Sequence, residues 1–468
     1  MSFSSMVFLW IFMPVVLLLC AVIRPPRYQN ILLLIASLIF YAWGDPQYVF
    51  LLLLSILMNY VLGMLMAHSE KYRKLFLILA LAGNIGMLGW YKYANFAINT
   101  INRVLGTNIA LTTFGLPMGI SFFSFSAMTY IIDLYRGRYE VQKNPLNFAL
   151  YLSFFPRLIS GPIARYTDMK DQLTERTMTR QKFAEGFRRF IYGLGKKVII
   201  ANVLAKPVDT IFALDAANMN SAQAWIGAIF YTLELYYDFS GYTDMAIGIG
   251  RMMGFDIPEN FDYPYISRSI TEFWRRWHIT LGAWFREYLY IPLGGNRKGK
   301  FRTYLNLFVV FAVTGLWHGA SWNFVGWGIY HGFFTIIERM GLGKLLKKSK
   351  VLSHIYAVLV FTIGWVFFRV GSVRYGFAMV GRMLMPWHFT ASTMHIGQIV
   401  NVQAMAAGIF GVIGCGVLQQ IFSTAKLQPV SAKWKNSIPE AVFCCVLLFY
   451  CILLMAGNTY NPFIYAKF

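Results

Sequence analysis

Apolar residues run through this chain in blocks of membrane-spanning length, separated by short polar connectors. The first four blocks fall at residues 3–23, 28–43, 48–67 and 75–93. A hydrocarbon core takes about 20 apolar helical residues to cross, so the blocks predict helices in a membrane. The connectors are Arg24-Pro25-Pro26-Arg27, Gly44-Asp45-Pro46 and Lys71-Tyr72-Arg73-Lys74. They alternate basic, neutral, basic. Lys and Arg collect in cytoplasmic loops, which predicts basic turns in the cytoplasm and an N-terminus outside. Block 3–23 lacks a basic leader and a small-residue cleavage site, and so reads as a retained helix.

Further along the pattern becomes less regular. Residues 95–113 form a polar, Asn-rich stretch that predicts an outer loop. A span over 114–135 is interrupted by Gly115, Pro117 and Gly119. Residues 146–163 are apolar but broken by Pro156, Gly161 and Pro162, with Arg157 among them. Broken backbone at membrane depth survives only inside protein or beside a water-filled cavity, so this piece predicts a re-entrant segment. A basic stretch over 165–197 predicts an amphipathic cytoplasmic helix pair, followed by a span at 198–214. The block 222–253 carries Glu234, Asp238 and Asp244. Glu234 and Asp238, four apart, share a helix face; pairing with buried arginines is the favoured reading and lining of an acceptor path the other. Residues 255–302 are cytoplasmic or interfacial, with Trp and Tyr suited to the headgroup level. Blocks 304–322 and 324–337 predict a tight helical hairpin, and 351–368, 402–422 and 441–455 complete the set. The whole predicts an all-α polytopic membrane protein of about eleven to thirteen helices. It is one membrane domain over 1–468 without a separate soluble domain, its core chemistry concentrated at about 114–340.

Composition agrees with this pattern. The 468 residues are 57% hydrophobic and 13% charged. The net charge of +22 would suggest nucleic acid on a soluble chain. On a membrane chain it is the expected cytoplasmic bias, so no nucleic-acid partner is expected. Cys20, Cys415, Cys444, Cys445 and Cys451 all lie in apolar runs with no histidine at ligand spacing, so neither a metal site nor a disulfide framework is indicated.

An ionisable side chain inside an apolar span is costly and points by default to function. His318 is such a residue. If its helix begins near Thr303, it lies roughly 22 Å from the cytoplasmic face. A neutral imidazole there can take a proton from a hydroxyl attacking a thioester; the alternative is a packing histidine bonded to a backbone carbonyl. His278, in Phe273-Trp274-Arg275-Arg276-Trp277-His278, reads either as part of an interfacial aromatic belt or as a second polar group facing the same tunnel. His331 reads as core packing or as a support for His318. Candidate tunnel-lining residues are Trp317, Asp238, Ser240, Tyr242 and Asn323. Arg275, Arg276 and Arg286, with Arg297, Lys298, Lys300 and Arg302, crowd the cytoplasmic side, where they suit a phosphate-rich donor. Anionic lipid is the alternative, favoured for Lys298 and Lys300. No phosphate-binding loop or serine-nucleophile elbow is present.

Three motifs are specific together: Phe273-Trp274-Arg275-Arg276-Trp277-His278, Leu289-Tyr290-Ile291-Pro292-Leu293-Gly294-Gly295-Asn296-Arg297, and Gly315-Leu316-Trp317-His318-Gly319-Ala320. They resemble the membrane-bound O-acyltransferase family, and within it the bacterial alginate O-acetyltransferase branch. Phe40-Tyr41-Ala42-Trp43, Asp238-Phe239-Ser240-Gly241-Tyr242 and Pro462-Phe463-Ile464-Tyr465 resemble the same branch. The resemblance implies a ring of tilted helices around a transmembrane tunnel in the bacterial inner membrane. It places the family's essential histidine at His318 and its second polar position at His278. It implies acetyl-CoA as a donor arriving from the cytoplasm, with no permanently bound cofactor. It further implies a periplasmic SGNH-type acetyltransferase partner and a polysaccharide acceptor such as alginate. Arg157 differs from what some relatives carry, and the ending Ala466-Lys467-Phe468 from the commonest one. Within the same family a D-alanyl group moving to a cell-wall polymer is an alternative. A polysaccharide exporter would need a continuous polar path with alternating access, often built from inverted repeats, and no repeat is seen; a scaffold for a synthase would leave His318 unexplained.

Overall fold

A computed structural model describes residues 1–385, 387, 394–422, 434, 437–457 and 464. Most of the C-terminal motif, Pro462, Phe463 and Tyr465, and the ending 466–468 lie outside the described residues. The described chain is helical, and the extended pairing in it is a single bridge between Phe261 and Trp277. Four helices are long and apolar enough to cross a membrane: Pro46–His68, Arg73–Leu105, Lys350–Arg369 and Ile438–Gly457. The chain divides into two compact units, one of Met1–Phe190 with Tyr242–Pro258, the other built from Ile191–Gly241 and Glu259–Ile464.

In the first unit the Asn-rich stretch expected as an outer loop begins as helix, because Arg73–Leu105 is continuous. The asparagines explain the difference. Asn95 Oδ1 accepts from the Thr112 N–H at 2.8 Å and its amide donates to the Thr112 carbonyl at 3.1 Å. Asn102 grips Ile109 in the same way. The polar side chains thus staple the returning strand of chain onto the helix. The proline-broken stretch folds as Pro145–Ser153 and the single turn Phe155–Leu158, all of the latter buried. Its freed backbone groups are met by protein, as burial requires: the Ser37 hydroxyl accepts from the Phe155 N–H at 3.0 Å. Arg157 lies over the Tyr151 ring at 4.5 Å and donates to Ser126 Oγ and the Ala164 carbonyl. The expected amphipathic pair is one such helix, Arg180–Gly195, after the turn Tyr166–Met169. Its Arg189 pairs with Asp244 at 2.9 Å.

In the second unit Asp238 is paired, with Lys197 at 2.7 Å and not with an arginine. Its other oxygen accepts the Ile464 N–H at 2.8 Å. The hairpin is Gly299–His318 returning as Trp322–Ile337. Its backbones touch. A Cβ on Gly315 would sit 2.1 Å from the Phe324 carbonyl oxygen, and one on Gly328 would sit 2.2 Å from that of Phe311. Glycine at both positions is what allows the two helices to close.

Candidate active site

His318 is the last residue of its helix, one residue before the chain turns extended at Gly319. The helix begins four residues earlier than the expected Thr303, which puts His318 about 28 Å along it. The ring is 1% exposed. Trp317, Trp327 and Phe368 meet it edge-on at centroid distances of 4.9, 5.1 and 5.4 Å. Phe368 lies in the last turn of the Lys350–Arg369 helix, and Asn323 donates to the Val370 carbonyl just beyond at 2.9 Å. The His318 ring therefore packs near one end of this 20-residue helix, which is long and apolar enough to cross a membrane, and Lys350 starts its other end, roughly 27 Å away along it.

His278 sits in the left-handed backbone region, φ 47° and ψ 54°. Few non-glycine residues adopt it, and such strain collects at functional sites. Asn260 explains how it is held. Its Oδ1 accepts from the Thr280 N–H at 3.3 Å and hydroxyl at 2.9 Å, and lies 3.1 Å from His278 Nδ1. An amide oxygen can only accept, so Nδ1 carries the proton and the lone pair is on Nε2. Burial pushes this imidazole down to about 3, so it is neutral, the form a base requires. Asn260→Leu is expected to release the ring's tautomer and leave Nδ1–H and Thr280 unmatched, costing about 1–3 kcal/mol. Thermal unfolding and transfer rate, read together, check this.

One of two adjoining cavities reaches this histidine. A chamber of about 420 Å³ is lined by His278, Trp274, Tyr290, Phe311 and Thr314, with Arg286 in its wall. A vestibule of about 780 Å³ is lined by Arg268, Lys344, Lys347 and Lys350. Both share Thr271, Arg275, Leu307, Thr335 and Arg339, so Arg275 and Arg339 stand at the throat between them. The acids in these walls are already engaged. Glu272 accepts from Arg276 at 3.0 Å and Glu338 accepts from Thr271. Arg275, Arg286 and Arg339 have no acidic partner within ion-pair distance among the described residues. The chamber ends at Thr314, one helical turn before His318. The Trp317 ring lies between, 6.0 Å from His278 and 4.9 Å from His318.

The residues singled out from sequence are thus distributed unevenly. His278, Arg275 and Arg286 lie on cavity walls. Arg276 instead pairs with Glu272 and with Asp262 at 2.8 Å. Trp317 separates the histidines, Asn323 fastens the turn, and Asp238 is in its lysine pair. Ser240 is buried, and Tyr242 stacks on Phe3 at 4.7 Å in the first unit. His331 is fully buried, with Trp274 and Trp327 each 5.1 Å away and no hydrogen-bond partner on either nitrogen among the described residues. Sequence reading passed over Asn260, Glu338 and Arg339. For Arg339 and Lys344–Lys350 the signal was a basic cluster following the return helix; for the other two there was none.

The model of the membrane-bound O-acyltransferase family matches residues 109–380, and the chain belongs to that family. It is a membrane protein and an O-acyltransferase. It is 40% identical over its whole length, and the relative's, to a probable alginate O-acetylase of Pseudomonas putida. It is 36% identical to a peptidoglycan O-acetyltransferase of Helicobacter pylori, over 80% of this chain and 77% of that one. A teichoic acid D-alanyltransferase of Bacillus subtilis is 31% identical over 46% of this chain and 56% of that one.

Proposed function

We propose that this chain moves an acetyl group from cytoplasmic acetyl-CoA across the bacterial inner membrane to a hydroxyl on the far side. The observation that carries the reading is the cavity pair. Cations without acidic partners among the described residues line a vestibule that opens into a mostly apolar chamber bordered by His278 and Thr314. Phosphates on a nucleotide suit the first, and a slender thioester arm suits the second. His318 acts as general base. It takes the proton from the acceptor hydroxyl as that oxygen attacks the thioester carbon; the tetrahedral intermediate then expels the thiolate, which takes up the proton. Trp317 stands on the route between chamber and His318, so the reading requires its side chain to swing aside during turnover. His278, held with its lone pair on Nε2, serves the donor side.

The acceptor is a polysaccharide such as alginate, reached through a periplasmic SGNH-type partner. Acetyl is favoured over D-alanyl because the acetylating relatives align along 80–100% of this chain and the D-alanylating one along 46%. The direct test is transfer of labelled acetyl from acetyl-CoA by purified protein with the co-purifying partner. No transfer with acetyl-CoA, and transfer with another acyl donor, would overturn the donor assignment.

Arg275→Gln and Arg339→Gln are each expected to raise the donor KM with little change in kcat. A lost charge-assisted hydrogen bond is worth about 1.5–3 kcal/mol, or roughly 10–100-fold. Steady-state kinetics at two salt concentrations check it, since screening should raise the wild-type KM as well.

A further inference from the structure

We propose that Glu338 is a positioning residue that sets the wall of the donor cavity through backbone hydrogen bonds. The Ile270–Arg276 helix has seven residues, too few to hold a helix unaided. It nonetheless carries Trp274 and Arg275 into the cavity and leads directly into the left-handed His278. Both its ends are tied from outside. At the C-terminal end the Asp262 N–H donates to the Arg276 carbonyl at 3.0 Å, and the Ile279 N–H to the Asn260 carbonyl at 2.9 Å. At the N-terminal end Ser269 Oγ caps the helix locally, accepting the Glu272 N–H at 3.0 Å, and the tie from outside is Glu338. One carboxylate oxygen accepts the Ile270 N–H at 2.5 Å. The other accepts the Thr271 N–H at 2.9 Å and hydroxyl at 2.6 Å.

Glu338 is 7% exposed and begins the segment Glu338–Leu342 at the end of the return helix, where the chain kinks at Gly341. Here the next residue, Arg339, stands at the throat opposite Arg275. Although Arg268, Arg275, Arg339 and Lys344 share the cavity wall with it, it holds the start of the helix through two peptide N–H groups and one hydroxyl. A single residue therefore joins the helix bearing one throat arginine to the turn bearing the other. Glu338 sets their spacing and the register of Trp274 and His278.

The consequence for the donor rests on the proposal that acetyl-CoA enters by this vestibule; the clamp itself does not. The test uses the full chain in lipid nanodiscs with Glu338→Gln, which places an amide NH₂ against N–H or O–H donors. Hydrogen–deuterium exchange is read over residues 270–276, and donor KM and kcat over the same preparation. The expected result is faster exchange confined to 270–276 and a donor KM raised about tenfold or more, with kcat falling less. Should Glu338→Gln not accumulate, Thr271→Val removes the 2.6 Å bond alone and is read the same way. Unchanged exchange overturns the clamp. Faster exchange with unchanged donor KM overturns the positioning role and leaves a purely structural one. If the wild type does not turn over acetyl-CoA, the donor reading falls, and exchange alone then decides the clamp.

Discussion

His318→Ala is expected to lower acetyl transfer by about 10²–10⁴-fold, the range a positioned general base contributes, in a protein that still inserts and folds. The argument is chemical. A hydroxyl attacking a thioester must lose its proton, and His318 is the imidazole at the end of the hairpin farthest from the basic vestibule. Alanine also leaves a gap among Trp317, Trp327 and Phe368, which itself costs stability. His318→Gln separates the two effects. It fills most of the volume, keeps a polar head and cannot serve as a base. Both variants should lose transfer, and the glutamine variant should keep a near-native melting temperature. A glutamine variant retaining most of the wild-type rate would remove His318 from the chemistry.

The second large effect is expected at Gly328. A single methyl there would meet the Phe311 carbonyl at 2.2 Å and the Gly315 backbone at about the same site, at 3.0 Å and 3.1 Å. Neither is a flexible side-chain tip, so the hairpin must part for alanine to fit. Overpacking of this kind costs about 1–3 kcal/mol or more. It also displaces Trp327, which covers both His318 and His331. Gly328→Ala should reduce the yield of monodisperse protein, the melting temperature and the transfer rate together. Gly326→Ala, two residues away, has nothing within 4 Å of the added carbon and should change none of the three. If the two alanine variants behave alike, close backbone contact is not what holds the hairpin.

Much of this site was legible in the linear sequence, and the residues that were not have a common character. His278, Arg275 and Arg286 stand out because charged and imidazole groups amid aromatic runs are conspicuous. Arg276 is as conspicuous as Arg275, yet it turns to Glu272 and Asp262. The i,i+4 spacing from Glu272 marks Arg276 and not Arg275 for a pair along the helix, a local signal the reading passed over; the second partner, Asp262, comes only from the fold. Asn260 is 18 residues from the histidine it orients, and Glu338 is 68 from the N–H it receives. Bonds of that reach leave no periodicity behind. The Asn95–Thr112 staple was missed for a milder reason: asparagine is common in loops, and its ability to bind a returning chain to a helix is invisible without the partner.

By itself the sequence determined that this chain lives in a membrane, where its polar connectors lie, and, through its motifs, which family it resembles. Those properties depend on free energies that sum residue by residue, namely apolar transfer and the charge of short loops. Only the tertiary structure decided which cations are left without acids among the described residues, which histidine meets a cavity, and that Trp317 stands between the two histidines. These depend on what distant segments bring to the same place. A charge becomes a binding group only when the fold has given its counter-ions other partners.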